Sequence, residues 1–382
     1  MRGSSLRFLG RFIWPAASLE EEREIAFDVG GDLRSATLYL PRPRAGRQPG
    51  GRGPAWILLQ GVTVPGRHHA GVRRMARALA SAGHTALAPE VPPWTSLHVD
   101  PAQAETTIRA ALRLLPSLQS VDPERIGLMA FSVAGTWALE VAAGELGRQL
   151  RCAVSLGGYG DFRRTSVAML IGEHEWQGRS YRYLPDPYGR WIVGADLLPR
   201  LQGDAWGAPP ERQQAAQALH RLAWTAGRNG APAGSPVYDL LIAQLRQTVP
   251  AGTLRAWDLL APPSSTPVPD PDAGRALALA LADAALEAFP QLDPAGRLEG
   301  LAAHRLRLFL IHGRQDTLIP FTETLRLAAA MPRGARPTVT ITRLIGHAKA
   351  ALLDLVANPP GLAYETVRFL MTMRRLVASL ER

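Results

Sequence analysis

Ser132 closes the apolar run Arg125-Ile-Gly-Leu-Met-Ala-Phe-Ser-Val-Ala-Gly135, a stretch that reads as a buried strand breaking into small residues and then a helix. A serine hydroxyl is a poor nucleophile until a base removes its proton, and a sharp strand-to-helix turn projects it clear of the sheet toward such a base. Two further segments carry the residue types that such chemistry needs. Asp316 ends Ile311-His-Gly-Arg-Gln-Asp, and His347 ends Leu344-Ile-Gly-His. An acid and a histidine in that chain order after a serine could orient and supply the base. Each residue also has an ordinary structural reading. A serine between strand and helix caps the helix, His347 could cap the helix that follows it, and His312 reads as a structural neighbour of the acid. Asp161, soon after another strand-like run, is an alternative acid.

The elements around these residues alternate. Arg23–Val29 and Arg34–Leu40 read as an antiparallel hairpin about Gly30-Gly31-Asp32, followed by an irregular stretch rich in Pro, Gly and Arg. Ala55–Leu59 then reads as a strand, Gly71–Ala82 as an amphipathic helix, and Thr85–Pro89 as a strand. Ala102–Leu118 reads as a helix, Ile126–Phe131 as the strand that carries Ser132, Val133–Leu146 as a helix and Ala153–Leu156 as a strand. Such alternation predicts a parallel sheet covered by helices on both faces. It stops from about Gly157 to Leu301, where helical patches such as Arg212–Trp224 and Arg275–Phe289 occur without convincing buried strands. Ala261–Asp270 is a proline-rich connector within that region, expected to be extended and exposed. Alternation resumes with strands at Leu306–Ile311 and Thr338–Ile341, a helix at Thr322–Ala330 and a closing helix at Tyr364–Leu380. In an open parallel sheet, loops at the carboxyl ends of the strands converge on one face, and Ser132, Asp316 and His347 all stand at such ends.

At these motifs the chain resembles an α/β-hydrolase of the dienelactone-hydrolase or acyl-esterase type. The matched pieces are Asp122-Pro-Glu-Arg-Ile-Gly leading to the Ser132 turn, His312-Gly-Arg-Gln-Asp316 with Ile319-Pro320 behind it, and Gly346-His347. The resemblance implies a mostly parallel eight-stranded sheet with helices on both faces, its core formed by residues 23–157 and 302–382. Residues 1–22 would be an N-terminal arm and 158–301 a helical cap. It further implies that Ser132 attacks a carbonyl carbon, that His347 accepts and returns the proton, and that Asp316 orients the imidazole. Backbone N–H groups of Val133 and Val62 would stabilise the oxyanion. The family often has His-Gly where this chain has Gln60-Gly61, and glycines are common where it has Ala130 and Ala134. Gln60 could orient its loop by hydrogen bonds but cannot titrate. The expected substrate is a small acyl compound, most simply a carboxylic ester. A peptidase, thioesterase, acyltransferase or noncatalytic binding protein remains open on the same scaffold.

Composition narrows the partners. The 382 residues carry a net charge of +10, yet the cations are arginines scattered singly or in pairs, with Lys349 the sole lysine. That is the pattern of a solvated surface rather than a nucleic-acid footprint. Cys152 is the only cysteine, which excludes an intrachain disulfide and a paired-thiolate zinc site. His68-His69 lacks nearby carboxylates to complete a metal site. No metal or organic cofactor is expected. Arg2, Arg7 and Arg11 interrupt the N-terminal apolar residues, and no uncharged stretch reaches the roughly 20 residues of a bilayer span. A cytoplasmic protein without integral membrane attachment is expected. The aromatics Tyr159, Phe162, Trp176, Tyr181, Tyr183 and Tyr188 are candidates for an acyl pocket or for the cap's own core. Arg163-Arg164 could meet a substrate carboxylate or simply face solvent.

Overall fold

The computed structural model describes residues 3–14, 20–42, 51–264, 266–345 and 359–381, with 359–363 as backbone alone. Most of the Pro-, Gly- and Arg-rich stretch after the first hairpin, and His347, lie outside the described residues. In chain order the first elements are α1 (Gly3–Ile13), β1 (Glu21–Val29), β2 (Asp32–Leu40), β3 (Gly53–Leu59), α2 (Ala70–Ala82), β4 (Thr85–Pro89) and α3 (Pro92–Thr95). Then come α4 (Ala102–Leu114), β5 (Val121–Phe131), α5 (Val133–Ala143) and β6 (Cys152–Leu156). The segment that follows holds α6 (Phe162–Ile171), β7 (Glu173–Trp176), β8 (Arg179–Arg182), α7 (Pro187–Leu197), α8 (Pro209–Asn229), α9 (Asp239–Arg246), α10 (Leu254–Leu260) and α11 (Pro271–Ala288). The chain returns to the sheet with β9 (Arg307–Gly313), α12 (Phe321–Ala329), β10 (Thr338–Thr342) and α13 (Pro359–Ala378).

Eight strands form one sheet in the order β1-β2-β4-β3-β5-β6-β9-β10. β2 runs antiparallel to both β1 and β4, and the remaining neighbours are parallel. A parallel strand needs both faces covered, and β3 shows how the sequence meets that need. Successive side chains point to opposite faces. Ala55, Ile57 and Leu59 therefore enter the core shared with α4 and α5. Trp56 and Leu58 enter a second core with residues of α1, α2 and α13. The order and the two covered faces make this an α/β-hydrolase sheet. β5 alternates in the same way, with Leu128 and Ala130 on one side and Met129 on the other.

Two elements extend the sequence reading. The N-terminal arm contains a helix, α1, because Phe8 and Leu9 bury against the second core while Arg11 pairs with Glu20 at 3.1 Å in a nearly solvent-free site. Segment 158–301 is mainly helical but also contains the short hairpin β7–β8, which pairs outside the main sheet. Its turn places both Gln177 and Gly178 at positive φ, as a tight two-residue hairpin requires. The hairpin is half exposed, so it carries no run of buried apolar residues to mark it in the sequence.

Gly127 of β5 lies against the fully buried Trp56, whose indole N–H donates to His84 Nδ1 at 3.0 Å. A β-carbon at Gly127 would come within 2.6 Å of that ring. Gly127→Ala is expected to cost about 1–3 kcal/mol through forced displacement of a packed ring. An unchanged urea midpoint would contradict this packing.

Candidate active site

Ser132 is reached through a backbone turn that few residues adopt. It sits at φ 58° and ψ −142°, between β5 and α5. Such a conformation costs an L-residue on the order of 1–3 kcal/mol and persists only where the surroundings enforce it. Here the Ser132 N–H donates to the Leu156 carbonyl at 2.7 Å, and the Ser132 carbonyl accepts from Gly135 N–H at 2.8 Å. Ser132 occupies the N-cap position of α5, yet its side chain makes no capping hydrogen bond. The ordinary explanation for a serine at this place is therefore missing.

The loop after β3 is pressed against Ser132. A β-carbon on Gly61 would lie 2.8 Å from Ser132 Cβ. Only glycine allows this approach, which sets the Gly61-Val62 main chain beside Ser132. Among the described residues no acceptor pairs with the Val62 N–H. Val133 is the first residue of α5, so its N–H has no acceptor within the helix. Gln60 is fully buried. Its amide, oriented by the groups facing it, donates to the Pro89 carbonyl at 3.1 Å and accepts from Val91 N–H at 3.2 Å. It thus ties the loop to the end of β4, the orienting role its residue type allowed. Further along, Arg67 donates to Glu24 at 2.9 Å and to Thr37 at 3.2 Å, and pairs with Glu90. Burial alone would raise the Glu24 pKa, but the hydrogen bonds from Thr37 and Arg67 outweigh it and hold the carboxyl below its usual value.

Asp316 follows β9 and is 6% exposed. Its Oδ1 accepts from the N–H groups of Leu318 at 2.9 Å and Ile319 at 3.0 Å, which fixes the carboxylate plane. Oδ2 lies 3.3 Å from His312 Nε2. Nε2 is also 2.8 Å from the Ile319 carbonyl, so the tautomer with hydrogen on Nε2 satisfies both, leaving Nδ1 to accept from Thr324 Oγ1 at 2.6 Å. His312 is therefore a buried support for the acid loop. Gly157, at φ 75°, lies between Asp316 and Ser132. A β-carbon there would stand 3.7 Å from Asp316 Oδ2 and 3.9 Å from Ser132 N.

Ser132, Val133, Val62 and Asp316 line one cavity of about 520 Å³. His347 is outside the described residues, and Ile345, two residues before it in the sequence, lines this same cavity. Asp161 does not line it and instead caps α6, accepting from Arg164 N–H at 2.9 Å. Of the six aromatic candidates, Phe162 and Tyr188 line the cavity. Tyr159 is core, its hydroxyl accepting from the Trp137 indole at 2.9 Å. Tyr181 stacks on His174 in the hairpin. Arg163 pairs with Asp283 at 2.6 Å, and His69 caps α2 by accepting from Gly71 N–H at 3.2 Å. Apolar residues Met169, Ile192 and Val193 from segment 158–301 complete the wall, and nothing in their spacing marked them beforehand.

No family model and no curated protein matches the chain. Solved structures are similar to it. One is a 2,6-dihydroxy-pseudo-oxynicotine hydrolase at 14% identity and TM-score 0.43, covering 92% of this chain and 68% of the other. Est1E from Butyrivibrio proteoclasticus is 12% identical at TM-score 0.43, covering 92% and 99%. The acylaminoacyl peptidase of Pyrococcus horikoshii is 12% identical at TM-score 0.47, covering 95% of this chain but only 43% of its own length. The chain thus spans less than half of that peptidase. These neighbours are hydrolases, while the fold assignment rests on the sheet order and the turn at Ser132.

Relief of backbone strain gives a direct check on that turn. Ser132→Gly is expected to raise stability by about 1 kcal/mol relative to Ser132→Ala, because glycine adopts positive φ at no steric cost. Equal urea midpoints for the two variants would show that the turn is unstrained.

A second check concerns Glu323 of α12, whose carboxylate accepts from the N–H groups of Gly160 at 3.2 Å and Asp161 at 2.9 Å beside the acid loop. Burial, opposed by the Gly160 N–H, raises its pKa from 4.5 to about 7. An acid raised on folding holds its proton more tightly in the native state, so its contribution is full below the unfolded value and is lost as pH rises through about 7. The stability difference between wild type and Glu323→Gln should therefore shift against wild type from pH 4.5 to above 7. A difference that is flat with pH would refute the shift.

Proposed function

We propose that this chain is a serine hydrolase that cleaves a carboxylic ester through an acyl-enzyme on Ser132. The observation that carries this reading is a serine held at φ 58° whose hydroxyl caps nothing and which shares a cavity with the buried Asp316. In this mechanism His347 removes the hydroxyl proton as Ser132 Oγ bonds to the acyl carbon. The N–H groups of Val133 and Val62 receive the oxyanion, and His347 passes the proton to the departing alkoxide. Water then attacks the acyl-enzyme by the same route and releases the acid. Asp316 orients the imidazole and stabilises its cationic form. Segment 158–301 acts as the cap, and the apolar wall of Met169, Ile192 and Val193 suits an acyl chain. No described helix is long and apolar enough to cross a membrane. Every group used in the route belongs to the chain or to water, so no cofactor is required.

Fluorophosphonate labelling of wild type and Ser132→Ala tests the nucleophile. Wild type is expected to label and the alanine variant to remain unlabelled, while Asp316→Asn lowers nitrophenyl ester turnover on the order of 10⁴-fold. Labelling that persists in Ser132→Ala would assign the nucleophile elsewhere. An unlabelled, inactive wild type would favour a noncatalytic binding protein. Preference for thioester, peptide or an alcohol acceptor over nitrophenyl esters would move the assignment to a thioesterase, peptidase or acyltransferase.

A further inference from the structure

Arg190, in the first turns of α7, is 2% exposed and has no carboxylate within ion-pair distance among the described residues. Its Nη1 donates to the Leu170 carbonyl at 3.3 Å, and its Nε is buried without a hydrogen-bond partner. Proteins pair such charges, because moving a cation out of water costs several kcal/mol unless an anion or a full set of acceptors replaces the hydration. Burial lowers its pKa to about 10, with the charge of Asp186 opposing, so the guanidinium is still cationic at neutral pH.

Arg190 does not face solid protein. It lines a second cavity of about 420 Å³, together with Asp186, Ser235, Ser264, Thr266 and Thr317. Their hydrogen bonds show which groups are committed. Asp186 Oδ1 accepts from Tyr188 N–H at 2.9 Å, capping α7. Ser264 donates to Asp239 at 2.8 Å, and Thr266 donates to the Pro263 carbonyl at 2.5 Å. Ser235 Oγ accepts from Val237 N–H at 3.5 Å, which leaves its hydroxyl hydrogen available to donate. Asp186 is the one carboxylate in the cavity lining, and one of its oxygens is committed to the α7 cap. The cavity also adjoins the one at Ser132, since Asp186 and Pro232 line both. It touches the acid loop too, where Asp186 N–H donates to the Thr317 carbonyl at 3.0 Å, next to Asp316.

We infer that this second cavity is a carboxylate-binding site in which the Arg190 guanidinium, helped by the Ser235 hydroxyl, holds a small organic acid or the carboxylate arm of a substrate. A planar carboxylate matches the guanidinium fork and would meet it from the cavity through the terminal nitrogens. The binding itself does not depend on Ser132 being the nucleophile. The assignment of the carboxylate to a substrate arm does rest on the proposed ester hydrolysis.

The test uses the full chain and two readouts. Acetate, added at constant ionic strength against chloride, should raise the Tm of wild type by roughly 2–5 °C at saturating concentration. Arg190→Met should fold with an unchanged or higher Tm in chloride, because an apolar side chain of similar length removes a buried charge, and should lose the acetate response. Arg190→Lys keeps the charge without the fork and should bind acetate about tenfold more weakly by calorimetry, which keeps the test intact should the methionine variant misfold. No acetate effect in wild type, or the same effect in the methionine variant, overturns the site. The second readout compares 4-nitrophenyl hemiglutarate with 4-nitrophenyl butyrate. A drop of about tenfold in kcat/KM confined to the hemiester in Arg190→Met assigns the site to a substrate arm. Acetate binding with no such drop assigns it to a free acid. Failure of wild type to hydrolyse either ester counts against the esterase reading and leaves the acetate result to decide the binding site.

Discussion

The hydroxyl of Ser132 is placed by a backbone conformation that side-chain-bearing residues avoid, and the surrounding structure is arranged to hold it there. The strand hydrogen bonds end at the carbonyl of Leu156, the neighbouring strand, which takes the Ser132 N–H at 2.7 Å. On one side Gly61 allows the loop after β3 to lie against Ser132, and on the other Gly157 keeps the space toward Asp316 clear. A conformation that costs on the order of 1–3 kcal/mol is retained only when many contacts fix it at once. The central position of β5 in the sheet supplies them, because both of its neighbours, β3 and β6, end in loops that close on the same point.

The acid is held by a different device. Its position depends less on a strained turn than on saturation of polar groups. Asp316 receives two backbone N–H groups on one oxygen, and the buried His312 bridges its loop to Thr324 of α12. The same helix offers Glu323 to the N–H groups of Gly160 and Asp161, where the chain leaves the sheet toward segment 158–301. One short helix thus anchors both the Asp316 loop and the start of the segment whose residues line part of the cavity. A change in the protonation of Glu323 would act on those two loops together.

Much of this was legible in the sequence because it depends on local pattern. Apolar runs of strand length, a serine at the break in one of them and an acid after another are short-range signals, and the strands appear where those runs are. The parallel sheet follows from the alternation of strands and helices, whereas the order of its strands appears only in the structure. The surrounding motif favoured Asp316 over Asp161 in the sequence, but geometry could not be read there. The distinction depends on where each carboxylate points, and the structure turns Asp161 onto the N–H of Arg164. Illegible for the same reason were the wall residues Met169, Ile192 and Val193, since an apolar residue on a helix looks alike whether it meets another helix or a cavity. The role of Gln60 was half visible. Its residue type allowed a loop-orienting bond, but its partners Pro89 and Val91 come from a neighbouring strand end that no spacing rule identifies.

Arg190 shows the limit of composition as a guide. Among so many arginines, nothing in its neighbours distinguishes it from residues such as Arg163, which pairs with Asp283 at the surface. The difference is energetic and appears only on folding. A surface guanidinium keeps its water, so its ion pair is worth little. One that is 2% exposed has exchanged water for a single carbonyl and the opening of a cavity. The same logic makes the adjoining Ser132 cavity unlike it, for that wall is built from apolar side chains of segment 158–301. An apolar chamber beside a buried cation would favour a ligand that is apolar along its length and acidic at one end, because only such a molecule satisfies both environments without leaving either group uncompensated.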